Sequence, residues 1–181
     1  MGKLSRHKQV IENFFSLSIL NALNVLLPLV TLPYMLHVVG KANYGAYSYV
    51  YAVVQYVILF STYGFNFSAT KQISQCRDDK EKVSKIYNAV TASKTLIALS
   101  LSVLLLLCAK LVFKDGVGTL MFVYGLGMVI GDVLTPIWLF QGMEKMKYMT
   151  IVNASSKILF TILIFIVVRA SDDYQLLILL N

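Results

Sequence analysis

The sequence predicts an all-α protein, a polytopic bundle of transmembrane helices. Hydrophobic residues make up 57% of its 181 positions and charged ones only 14%, whereas a soluble domain has about 25% charged. The apolar residues fall in five runs long enough to cross a ~30 Å hydrocarbon slab, which takes about 20 helical residues. The Lys and Arg residues concentrate in alternate connections between those runs, as they do in multi-pass proteins.

The first run, 14–39, and the second, 46–67, contain no Asp, Glu, Lys or Arg. The first is too long, and lacks the small-residue cleavage pattern, for a removable signal peptide. Pro28 and Pro33 lie inside it; each removes a ladder hydrogen bond and crowds the preceding turn, so a bent first helix, hinged at these prolines, is expected. The third run, 89–113, holds Lys94 near its start and Lys110 near its end. The fourth, 120–140, contains Asp132, and the fifth, 149–168, contains Lys157. A sixth begins at Tyr174 and stops at Asn181, covering only ~12 Å at 1.5 Å per residue. The expectation is five complete spans and a truncated sixth.

The connections 40–45, 114–119, 141–148 and 169–173 are short enough only for hairpins between neighbouring helices. The segment 68–88 is longer. Its Ile73, Cys76, Val83 and Ile86 recur roughly on one helical face, which predicts an amphipathic helix on the membrane surface. The net charge of +7 divides unevenly. The N-terminal tail (Lys3, Arg6, Lys8) and the loops after spans two and four hold ten basic residues, and the opposite side four, Lys41, Lys110, Lys114 and Arg169. The positive-inside rule therefore puts the N-terminus in the cytoplasm. Nucleic acid is excluded as a partner, because acidic residues interleave the basic ones and no aromatic stacking platform accompanies them. Cys76 and Cys108 have neither disulfide nor metal spacing, and no catalytic, nucleotide or metal motif is present. The reading is of a non-enzyme without cofactors, in which His37 is a polar cap at a span end.

Polar residues fall in stripes: Asn21, Asn24, Pro28 and Thr31 on the first span; Ser48, Tyr51, Gln55, Thr62 and Asn66 on the second; Asn153, Lys157 and Thr161 on the fifth. In lipid such a face must meet protein or a wet cavity. Interhelical hydrogen bonds, worth roughly 0.6 kcal/mol each, account for neutral residues. Charges ask for more, since each costs about 2.5 to 3.5 kcal/mol at mid-membrane on insertion scales. Lys94, Lys157 and Asp132 lie about 8 to 12 Å from the same end of their spans. Lys94 could snorkel to the interface, and Asp132 could pair with either lysine, leaving one positive charge over. That surplus in a shared chamber would attract an anionic lipid headgroup. Gly127 and Gly131 form a small-xxx-small pair, which predicts close helix packing beside Asp132.

Three stretches resemble a known family. They are Gly40 with Tyr44-Gly45; Tyr63-Gly64-Phe65-Asn66 with Ser68-Ala69-Thr70-Lys71; and Pro136-Ile137-Trp138 with Phe140-Gln141-Gly142 and Glu144-Lys145-Met146. Together they look like the Wzx-type flippases of O-antigen and other polysaccharide repeat units, in the polysaccharide transporter family of the MOP superfamily. Two positions depart from the family pattern: Ala42 and Asn43 stand where a Pro is common, and Lys71 where Arg is common. The resemblance implies a twelve-helix, two-lobed, alternating-access transporter in the bacterial inner membrane, of which this chain would be the first lobe. It implies a polyprenyl-pyrophosphate-linked oligosaccharide as substrate, membrane lipid as surroundings, and polysaccharide polymerase and assembly proteins as partners. Helix faces and depth, within that frame, assign Lys94 and Lys157 to headgroup attraction, Asp132 to tuning them, and Asn21, Asn24, Gln55 and Asn66 to the sugar path. A cation-coupled multidrug or metabolite exporter, favouring unpaired carboxylates, and a non-transporting membrane scaffold are the alternatives.

Overall fold

The computed structural model describes residues 3–113 and 117–180, with the side chains of 3–17, 20, 117 and 172 excepted. The side chains of the basic tail, the loop residue Lys114 and the terminal Asn181 therefore lie outside the described residues. The elements are α1 (Lys3–Val38), α2 (Lys41–Thr62), α3 (Phe65–Gln75), α4 (Lys80–Val112), α5 (Val117–Leu134), α6 (Ile137–Gly142) and α7 (Met146–Val167), followed by a 3-10 turn (Ser171–Gln175) and α8 (Leu176–Leu180). No strand occurs among the described residues. Five helical stretches are long and apolar enough to cross a membrane. At most 22% of any of these windows is buried inside the chain, and Leu26, Leu29, Leu59, Phe60, Leu99, Leu107 and Ile166 point outward. Such a surface is stable where hydrocarbon is the solvent. The all-α polytopic bundle is the fold observed.

Four features refine the expectations. First, α1 carries Pro28 and Pro33 without a break in the helix. Second, segment 68–88 is divided rather than one helix: α3 ends at Gln75, and α4 starts after Asp79, whose carboxylate caps it by accepting from the Lys82 amide at 3.1 Å. That amide bond, reinforced by the Lys82 ammonium, holds the Asp79 carboxyl below the usual 3.8. Within the chain, the apolar face of the segment turns toward α6, where Ile73, Val83 and Ile86 pack around Trp138. Third, the fourth span breaks at Thr135-Pro136 into α5 and α6, because Pro136 has no N–H to continue the ladder. Fourth, Gly127 and Gly131 face open space. The close approach comes instead at Gly125, where an added Cβ would sit 2.6 Å from Val54 Cγ2.

Helix α1 runs along α7, and Tyr34 fixes the pair by donating to the Val168 carbonyl at 2.8 Å. On the other side α2 packs against α4 and α5 through Val50, Val54, Val57, Phe122 and Val129. Sequence neighbours α1 and α2 touch only sparingly after turning at Gly40, whose φ of 84° suits glycine. The bundle is thus two packed groups with a cleft between them, bridged at one end where Asn43 Nδ2 donates to the Ser171 carbonyl at 3.1 Å.

Candidate functional site

The cleft holds a cavity of about 640 Å³. Leu23, Leu27, Pro28 and Thr31 of α1 line one side, Tyr44, Tyr47, Ser48 and Tyr51 of α2 the other, and Asn153, Lys157 and Thr161 of α7 the back, with Leu180 of α8 also in the lining. It is therefore amphipathic, with hydroxyls and an amide among aliphatic and aromatic walls. Among the described lining residues Lys157 is the charged one. Helical rise puts it about 15 Å from either end of α7, deeper than expected. Its ammonium donates to Asn24 Oδ1. Pro28 leaves the backbone carbonyl of the same Asn24 without its helical donor, so polarity concentrates there. An amide satisfies the amine without cancelling its charge, and among the described residues no carboxylate forms an ion pair with Lys157.

Lys94 and Asp132 have a different surrounding, in the seam of α2, α4 and α5. Lys94 is 4% exposed, which removes the snorkelling alternative. Its Nζ lies 2.8 Å from Asp132 Oδ2 and donates to the Asp132 backbone carbonyl at 2.9 Å. Thr62 Oγ1 donates to the same carboxylate at 3.4 Å. The carbonyl contact has a covalent cause: the donor four residues on would be the N–H of residue 136, which is a proline. Lys94 supplies the missing hydrogen at the negative end of α5, where a cation is also favoured by the helix dipole. The lysine thus seals the break in the fourth span.

The structure accordingly separates the charges that sequence depth placed in one chamber. Lys157, with Asn24 beside it and Pro28 in the wall, belongs to the cavity. Lys94 and Asp132 do not line it, and neither do Gln55 and Asn66, which are half-buried elsewhere. Asn21 and Pro33 are exposed and outside the lining as well. Sequence reasoning missed Tyr44 and Tyr47. Their signal was available in the spacing of Tyr44, Tyr47 and Tyr51, one helical face at steps of three and four.

A polar cavity inside an apolar bundle is shared by many membrane proteins, but the sequence match is specific. Residues 10–181 match the family described as polysaccharide biosynthesis protein. The chain belongs to that family. It is 34% identical over 172 residues to a protein of Escherichia coli (strain K12), and 29% identical over 163 residues to one of Shigella dysenteriae. These alignments cover 95% and 90% of this chain and 40% of each relative, and both relatives bear the name "Putative O-antigen transporter". The chain spans about two fifths of the length of those relatives. No solved structure matches it. Within the family frame, the matched region includes the whole cavity, both lysines and the break at Pro136.

Proposed function

We propose that this chain forms one wall of a flippase that moves polyprenyl-pyrophosphate-linked repeat units of O-antigen or another polysaccharide across the bacterial inner membrane. The names of its relatives and its family membership support the reading. The observation that carries it is Lys157, a cation in an amphipathic cavity whose described partner is a neutral amide. A phosphate oxygen about 4 Å from that amine gains on the order of 4 kcal/mol per charge at an effective dielectric near 20. That is enough to displace an amide worth a fraction of it. The polyprenyl tail remains in the bilayer, and the exposed leucines of α1 and α7 face it. A second wall is needed to enclose the path, so the chain by itself binds without translocating. The distribution of basic loops supports a cytoplasmic N-terminus, and the product would pass to a polysaccharide polymerase. α1, bearing Pro28 and Pro33, is the helix that would flex as access switches. A transporter of this kind performs no chemistry on its cargo, and a cation exporter would need a free carboxylate where the cavity has a lysine.

The test uses the chain in lipid nanodiscs with undecaprenyl pyrophosphate as probe and native mass spectrometry as readout. Lys157→Gln is expected to weaken binding at least about tenfold and Lys157→Arg to preserve it. Equal binding of uncharged undecaprenol, or no effect of Lys157→Gln, overturns the reading.

A further inference from the structure

Resting on the flippase reading, the walls of the cavity also report how the cargo is oriented. Tyr44, Tyr47 and Tyr51 occupy one face of α2, and successive ring centroids lie 5.7 and 6.0 Å apart with interplanar angles of 43° and 32°. All three line the cavity. Tyr47 is the buried member, while Tyr44 and Tyr51 are half-buried and give their remaining surface to the space. Ser48 of the same helix and Thr31 and Thr161 across the cleft add hydroxyls around the rings.

Such a combination suits a pyranose better than an acyl chain. The ring C–H bonds of a sugar carry partial positive charge and meet the negative π face of an aromatic ring, while sugar hydroxyls exchange hydrogen bonds with serine, threonine and tyrosine. A methylene chain gains the dispersion but offers no hydrogen-bonding group to the serine and threonine hydroxyls. Volume agrees: 640 Å³ falls in the range of about 300 to 1,000 Å³ typical of sites for compact ligands, so it would take a short oligosaccharide rather than a polymer.

Register along the helices supplies direction. The start of α2 and the end of α7 share one end of the bundle, joined by the Asn43 to Ser171 contact. Tyr51 lies about 15 Å from that end, level with Lys157; Tyr47 lies about 9 Å and Tyr44 about 4.5 Å from it. We infer that the Tyr44, Tyr47 and Tyr51 ladder is a hexose-binding track, which receives the sugars of a lipid-linked oligosaccharide on the side of Lys157 toward the turn between α1 and α2, while that lysine holds the phosphate. The cargo enters this wall with its phosphate at mid-membrane and its glycan toward the end where α1 turns into α2.

The experiment compares two probes on the full 181-residue chain in nanodiscs: undecaprenyl pyrophosphate, and the same lipid bearing one N-acetylhexosamine. Wild type is expected to prefer the sugar-bearing lipid by about tenfold. Tyr51→Leu should bring that preference close to unity, weakening the sugar-bearing lipid about tenfold more than the bare one; Tyr51→Phe should keep the preference, and Tyr44→Leu should lower it in part. Thermal unfolding of each variant establishes that it is folded. The inference is overturned if the sugar adds nothing in wild type, or if Tyr51→Leu weakens both probes equally. Lysine-dependent binding of the bare lipid with no sugar increment defeats the ladder alone, whereas failure of wild type to bind either probe defeats the flippase reading with it.

Discussion

Lys94→Met is the substitution with the largest stability effect expected from this structure. The amine compensates two groups together, the Asp132 carboxylate at 2.8 Å and the carbonyl that Pro136 leaves without a donor at 2.9 Å. Removing one partner of a buried ion pair costs about 3 to 5 kcal/mol, because the remaining charge is stranded. The Asp132 side chain is 25% exposed and keeps the Thr62 hydroxyl, so the lower end, about 3 kcal/mol, applies. Were the contact an ordinary interhelical hydrogen bond in a membrane protein, the loss would be nearer 0.6 kcal/mol. The two accounts are far enough apart to measure. Trp138 is the chain's one tryptophan and is buried beside Tyr87 at a centroid distance of 6.0 Å, so its fluorescence reports unfolding in mixed micelles as the denaturing detergent is raised. Lys94→Met with Asp132→Leu removes the stranded charge and should recover most of the loss, leaving about 1 kcal/mol or more for the orphaned carbonyl. Adding Pro136→Ala, which returns an N–H at that position, should recover part of the remainder. A Lys94→Met chain within about 0.5 kcal/mol of wild type would refute the sealing role.

Three further outcomes are expected. Gly125→Ala puts a Cβ 2.6 Å from Val54 Cγ2, a β-branched side chain stiff in a helix, and should cost about 1 to 3 kcal/mol in the same unfolding assay; Val54→Ala in the double mutant should restore part of it. Gly142→Ala meets Ile73 Cβ and Cγ2 at 2.6 Å and the Thr70 carbonyl at 3.0 Å, so it should lower the unfolding midpoint in a way that Ile73→Val fails to rescue, since the Cβ itself is in the way. The Asp173 carboxyl is held below its ordinary 3.8 chiefly by the amide of Arg169 and then by that of Ala170. Its contribution is therefore complete above the unfolded value and lost as pH falls through the lower folded one. Hydrogen exchange across 169–175 should be unchanged from pH 8 to pH 5, after correction for intrinsic rates, and lose protection only below about pH 4.

The number and type of the membrane helices were legible in the sequence, because a run of apolar residues long enough to cross a bilayer has few other uses. Breaks were less so. Pro28 and Pro33 lie inside a continuous α1, whereas Pro136 ends α5. One proline costs a hydrogen bond wherever it falls, and the shape of the chain beyond it depends on whether neighbours re-satisfy the freed carbonyl in place or hold a redirected backbone. At 136 the redirected chain has Trp138 to bury and Ile73 to receive it. Glycines behaved likewise: the spacing of Gly127 and Gly131 fitted a packing motif, yet the contact formed at Gly125 because Val54 stands opposite it. Partner identity is a tertiary fact that spacing along one helix does not encode.

The two lysines show where a sequence signal existed and depth alone obscured it. Position along a span says how costly a charge is, but the residues sharing its helical face say what it meets. Lys94 shares a face with Ala98 and Ser102, both buried. Small residues at steps of four let a neighbouring backbone approach closely, which is the environment of a packed seam and of an amine consumed by it. Lys157 shares its face with Asn153 and Thr161, which line the cavity. Polar residues of that size hold helices apart and leave donors and acceptors over, the environment of a wet cleft. Two lysines that sequence depth placed together thus differ: Lys94 is buried and spent on a broken helix and its aspartate, whereas Lys157 is half-buried and is the one that the proposed function assigns to an anion.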